Sequence, residues 1–234
     1  MGPNQGISSG PMVTAGSFVA LLDEPDRGAL AGVGRQRQYR RGAVLLLEGD
    51  RSDHVLIVRE GRVKIVSTTA DGHEILLAVR GPGELIGELA ALAPGPEPRS
   101  ASVIALEPVV AQVVSGPDFL GFLEARPRAV MIVLRKVVDR QRDSDRRRVE
   151  FGSQHTMGRV AGYLAEMAER HGRRVDGGTE IGVALSQEEL AGYIVASRES
   201  VARALTTLRR RGLITTARRK IVVLDLAGLE AYRD

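Results

Sequence analysis

The residues of this 234-residue chain whose types and spacing suit them to chemistry fall in two places, and both suit binding rather than catalysis. The first is the stretch 185–205. Ser186 can cap a helix, Glu189 three positions on completes a capping box, and Leu190, Ala191 and Ile194 form an inward stripe. Ser197 then caps a second helix whose inward stripe is Val201, Ala204, Leu205 and Leu208. Arg198, Glu199 and Arg203 are left outward near its N-terminus, the end that meets base edges when a helix lies in a DNA major groove. Over 198–220, eight basic residues (Arg198, Arg203, Arg209, Arg210, Arg211, Arg218, Arg219 and Lys220) face Glu199 alone. That local charge of +7 in a chain of net +4 leaves the remainder at −3, so the positive field is concentrated in one place. A plain helical hairpin with a solvated basic face needs neither the two caps nor the runs 212–216 and 220–224. These read as a β-hairpin, a wing whose basic turn can touch phosphate.

The second place is the loop 81–92, continued at 98–102, where glycines and polar residues interrupt an apolar run. A helical turn starting near Gly87 would aim free backbone N–H groups at an anion, with Arg99 and the Ser100 hydroxyl adding charge and hydrogen bonds. Glu88 would repel a phosphate but suits a ribose hydroxyl, so the set fits a sugar phosphate better than inorganic phosphate. The alternative is a glycine-rich turn carrying an exposed Glu–Arg ion pair.

These sites need a framework, and composition bounds it. With 43% hydrophobic residues the chain can fill two small cores. It has no cysteine, which excludes thiol redox sensing, disulfides and cysteine-held metal. Its four histidines (His54, His73, His155, His171) lack metal-ligand spacing, and no Ser-His-Asp or paired-carboxylate constellation appears, so neither a metal nor an enzyme is expected. No internal repeat, membrane-spanning run or signal-peptide plan is present, and the expectation is a cytoplasmic protein with a flexible tail over 1–16.

A short helix is expected from Ser17, and then 35–115 alternates short apolar runs with glycine turns: 43–47, 55–58, 63–66, 75–79, 101–106 and 109–114, with Asp71-Gly72 as a hairpin turn. That is a β-sandwich or small barrel. Ser115 opens a helix, and Pro127 begins a longer one of about 36 Å that Gly152 should end. Along it Val130, Leu134, Val137, Gln141, Ser144, Arg148 and Phe151 recur at steps of four and three, a coiled-coil seam that is apolar first and polar later. The next helix, 156–170, buries Val160, Tyr163, Leu164 and Met167.

The string 83–89 with Arg99 and Ser100 resembles the phosphate-binding cassette of the cyclic AMP receptor protein (CRP/FNR) superfamily of bacterial transcription regulators. Residues 197–203 are similar to that family's recognition helix. The resemblance runs over about 35–224 and implies an α+β fold: an N-terminal cyclic-nucleotide-binding β-roll (a double-stranded jelly roll) over 17–126, a dimerisation helix over 127–151, and a winged helix-turn-helix over 152–234. It implies a homodimer, with Val130, Leu134, Val137 and Gln141 at the interface, that binds double-stranded DNA at a palindromic TGTGA-like site; RNA polymerase is a candidate partner. No cofactor is implied beyond an allosteric ligand, cyclic AMP first among candidates. By this resemblance Gly87, Arg99 and Ser100 hold the cyclic phosphate, Glu88 the ribose and Ser144 the purine, with Leu89 beside them. Ser186, Ser197, Arg198, Glu199, Ser200, Arg203 and Lys220 meet DNA. Asp145 stands where the cyclic AMP receptor offers a second hydroxyl. Val195 occupies a turn position that is often glycine, where a β-branched residue resists positive φ. Two other functions stay open: the same fold with a pocket that is empty or takes another ligand, and a cyclic-nucleotide-binding module that regulates a partner protein.

Overall fold

The computed structural model describes residues 13–69, 72, 74–95, 97–153, 155–182, 186–217 and 220–232. Asp71, His73, Leu185, Arg218, Arg219 and the first twelve residues, all singled out by sequence, lie outside the described residues, as does the Phe151 side chain. Of the expected tail, residues 13–16 form a turn against the β-roll, with Thr14 N–H donating to the Pro82 carbonyl at 3.0 Å.

Two short helices, α1 (Phe18–Leu21, capped by Ser17) and α2 (Glu24–Ala31, capped by Asp23), precede eight strands. These are β1 (Arg35–Tyr39), β2 (Val44–Leu46), β3 (Val55–Glu60), β4 (Val63–Thr68), β5 (Glu74–Arg80), β6 (Leu85–Ile86), β7 (Ser102–Ala105) and β8 (Val109–Val114). They build two antiparallel sheets, ordered β1-β8-β3-β6 and β2-β7-β4-β5, the double-layered roll that the alternating apolar runs require. Leu46, Leu56, Val58, Val63, Val103 and Ala111 fill the space between them. β1 is an exposed edge strand of sequence RQRQY, and its polarity hid it from a pattern search.

The helix α3 (Glu88–Ala91) interrupts the roll after β6, and α4 (Gly116–Glu124) follows β8 with the Ser115 hydroxyl on the Asp118 N–H. Then α5 (Pro127–Ser153) runs unbroken past Gly152, one residue after its expected end. Ala129 and Val133 pin its first turns into a core with Phe18, Leu30, Phe119 and Phe122.

The C-terminal half comprises α6 (Thr156–His171), β9 (Gly172–Val175), β10 (Gly178–Ile181), α7 (Gln187–Ile194), α8 (Arg198–Arg210), β11 (Ile214–Ala217), β12 (Lys220–Val223) and α9 (Leu226–Glu230). Its sheet, ordered β11-β12-β10-β9, contains the expected wing hairpin plus a second hairpin whose arginine-rich, weakly apolar strands gave no sequence signal. Val160, Tyr163, Leu164 and Met167 are buried as expected, with Ile194, Val201, Leu208 and Ile214. The same core takes in Val66, Leu76 and Val79 from β4 and β5, so the two halves share apolar packing. Lys64 on β4 fastens the contact, reaching Glu74 at 3.0 Å and Glu189 of α7 at 2.8 Å.

Candidate ligand cavity and DNA interface

The loop between β6 and β7 folds back over the roll, and Gly87 makes the fold-back possible. Its φ of 86° is in the left-handed region, and a Cβ there would lie 2.8 Å from Arg99 Nη1 and 3.2 Å from the His54 carbonyl, so only glycine fits. Gly87 is the N-cap of α3, and the cap and the first residues of that turn line a cavity of about 320 Å³. Gly87, Glu88, Leu89, Arg99 and Ser100 all line it, the five cassette residues that the sequence had grouped. Leu89 is 59% exposed at its rim, while Glu88 and Arg99 are buried.

Arg99 is held from three sides. Its Nε donates to Ser52 Oγ at 3.0 Å, Nη1 to the Gly87 carbonyl at 2.9 Å and Nη2 to the His54 carbonyl at 2.5 Å. Each Nη keeps one N–H, and all three direct acceptors are neutral, with the Asp53, Glu88 and Asp50 carboxylates acting on the guanidinium only through space, so a fixed cation borders the cavity. Burial and then Arg99 hold the His54 imidazole below its usual range, which keeps it from competing as a cation.

Glu88 is paired with Arg140 of α5, which also donates to the Leu85 carbonyl at 2.6 Å and lies 3.6 Å from Glu84. Sequence reasoning missed Arg140, which is 52 positions from Glu88; the one available signal was its place beside Val137 and Gln141 on α5. Those three residues form the α5 wall of the cavity, and Ser144 is not among the lining residues. A second missed residue, Arg80 at the end of β5, lines the cavity as well. Apolar walls, a cation cradle and one buried carboxylate fit a nucleotide sugar phosphate in kind and size.

The DNA-facing surface is built from local rules. Ser186 Oγ accepts from Glu189 N–H at 3.1 Å and Glu189 returns a bond to Ser186 N–H at 2.8 Å, the expected capping box. Val195 closes α7 at φ 52° and ψ 60°, so the chain does force a β-branched residue into the left-handed region. Ser197 Oγ then accepts from Ser200 N–H at 3.2 Å, and Ser200 Oγ accepts from Arg203 Nη2 at 2.9 Å, a relay that sets the arginine's direction. Arg198, Glu199 and Arg203 are exposed, and Val201, Ala204, Leu205 and Leu208 are buried beneath them. The Glu199 carboxyl is held below its usual range, first by its own backbone N–H at the helix start and then by Ser197. On the wing, Lys220 is 3.0 Å from Glu180, so an intramolecular partner holds it before any phosphate does.

Along α5, Val130 and Leu134 are 41% and 52% exposed, as are Met131 and Val138 at 48% and 38%. Val137 instead turns inward against the roll, and the Gln141 amide donates to the Asp145 carboxylate at 3.1 Å.

Residues 36–126 match the family model of the cyclic nucleotide-binding domain, and 158–232 match that of the Crp-like helix-turn-helix domain. The chain is 32% identical over 217 residues to the CRP-like cAMP-activated global transcriptional regulator of Mycobacterium tuberculosis, covering 92% of this chain and 94% of that one. The chain belongs to the CRP/FNR superfamily of transcription regulators. It is 28% identical to the cyclic AMP receptor protein of Thermus thermophilus, covering 84% of this chain and 87% of that one. A solved CRP-family transcriptional regulator, also from Thermus thermophilus, superposes with a TM-score of 0.71 at 28% identity, over 84% of this chain and 96% of that one. The CRP/FNR assignment fixes a cyclic-nucleotide-binding β domain followed by a DNA-binding helix-turn-helix domain. Among the described residues, no helix is long and apolar enough to cross a membrane and no cluster of metal-ligating side chains occurs.

Proposed function

We propose that this CRP-like regulator is a homodimer that binds a palindromic, TGTGA-like operator and is switched by a cyclic nucleotide, with cyclic AMP the first candidate. In this reading 17–126 senses the ligand, 127–151 dimerises and transmits, and 152–234 binds DNA, with RNA polymerase a candidate partner at the promoter. One observation carries it: α5 walls the cavity through Val137, Arg140 and Gln141 and runs on to the DNA-binding half. Gly87, Arg99 and Ser100 would take the cyclic phosphate and Glu88 the ribose. The Glu88–Arg140 pair then joins the ligand to the helix whose exposed stripe of Val130, Leu134 and Val138 meets a second copy. The names of the two relatives, both tied to cyclic AMP, support the choice of ligand.

Allosteric coupling of this kind is typically about 1–3 kcal/mol, so cyclic AMP should tighten operator binding by roughly 5- to 150-fold. Fluorescence anisotropy on a palindromic operator, with and without cyclic AMP, measures it directly. Arg99→Ala should abolish the ligand effect and leave ligand-free DNA binding nearly unchanged. Equal wild-type affinity in both conditions would overturn control by cyclic AMP. Leu134→Asp places a charge in the stripe and should yield a monomer by light scattering at micromolar concentration; a dimer that survives puts the interface elsewhere.

A further inference from the structure

Once the cassette is assigned to phosphate and Glu88 to ribose, part of the cavity remains. Its walls are Ile65, Leu77, Ala78 and Val137, a slot that suits the flat faces of a base, and its polar groups are Gln141 and Arg80. The three guanidiniums that line the cavity are in different states. Arg99 uses all three of its nitrogens on acceptors, and Arg140 is committed to Glu88, Glu84 and the Leu85 carbonyl. Arg80 donates from Nη1 to the carbonyl of its neighbour Val79 at 3.0 Å, and among the described residues it has no carboxylate within ion-pair distance. Its Nε is shut off from solvent with no acceptor. Burial pushes the guanidinium down to about 10, with Arg140 adding to the effect. With Nη1 on a single carbonyl and no acceptor recorded for Nη2, the end of this guanidinium still has N–H groups to give, and a ligand offering two acceptors at its edge would take them.

We propose that Arg80 reads the purine edge in this cavity and draws its selectivity toward guanine. Guanine presents O6 and N7 side by side, the acceptor pair that an arginine fork matches bidentately, whereas adenine puts an N6–H₂ donor beside N7. The inference rests on the reading of the cavity as a cyclic-nucleotide site. It adds a specificity residue outside the cassette, on β5, which lines the cavity together with α5. Arg80 lies seven positions before Gly87, in the strand that precedes the cassette turn, so base and phosphate would be held by successive segments of chain.

The test is calorimetric titration of the full-length protein with cyclic AMP and cyclic GMP, for wild type and Arg80→Leu. The two nucleotides share phosphate and ribose, so each controls for the other. Arg80→Leu should weaken cyclic GMP at least tenfold relative to cyclic AMP. Arg80→Lys, which keeps the charge but loses the fork, should move the ratio in the same direction and preserves the test where the leucine variant misfolds. A ratio that both variants leave within twofold of wild type overturns the assignment of Arg80, even if both nucleotides weaken together. A wild-type protein that binds neither nucleotide overturns the cavity reading itself, and the Arg80 assignment with it.

Discussion

The cavity and the outer face of α8 both present arginines, but the two regions hold them differently. In the cavity Arg99 and Arg140 are fixed by groups 12 to 55 positions away, Arg99 buried and Arg140 partly so. On α8, Arg203 is steered by Ser200 three positions off, and Ser200 by Ser197, all in the open. Buried charges that must not move are bought with long-range partners, whereas charges meant for a hydrated polyanion need only direction. The contrast suggests that a ligand meets a preorganised cradle, while DNA meets side chains that adjust on contact.

The comparison breaks most severely at Arg140. Its removal leaves Glu88, 4% exposed at the side chain, without its cation, and losses from breaking such pairs run to about 3–5 kcal/mol. Arg140→Ala should therefore lower the urea midpoint markedly. A midpoint unchanged at neutral pH would mean that the cavity is no more rigid than the DNA face. Arg203→Ala should leave stability alone and cost about 1–3 kcal/mol on the matched operator with relaxed preference at one base pair, while Lys220→Ala should weaken all sequences alike, and only modestly because Glu180 already holds Lys220. Equal losses on operator and random DNA for Arg203→Ala would make α8 a nonspecific surface. The smallest effect is expected at the turn. Val195→Gly relieves a left-handed β-branched residue and should raise stability by about 1 kcal/mol in thermal melts.

The same contrast decides what the sequence could show. Caps at Ser115, Ser186 and Ser197, the stripes of α6 and α8, and the glycine turns of the roll are set within a few residues, so spacing alone exposed them. The cassette was legible because its five residues are close in the chain and resemble a known pattern. Arg140 and Arg80 were not, because each lies on an element apart from the cassette loop and reaches the cavity only through the fold. Val137 was placed in the seam by its spacing, yet the roll draws it inward and leaves Val138 outside, a shift that periodicity of three and four cannot resolve. β1, β9 and β10 escaped because short polar strands, two of them at sheet edges, carry no apolar alternation.

The packing of Leu76 and Val79 against α6 and α7 has a consequence for the life of the chain during synthesis. β5 is an outer strand of its sheet, and α7 crosses it, bringing Gly192 so near that a Cβ would lie 3.2 Å from the Glu74 carbonyl. Until α7 emerges and folds, that strand offers water an apolar face at an open edge, the combination that invites one nascent chain to add a strand to another. Packed on that strand, the C-terminal half covers Leu76 and Val79 in the finished molecule. A fragment ending after α5 should aggregate where the whole chain does not, for want of the helix that guards its edge.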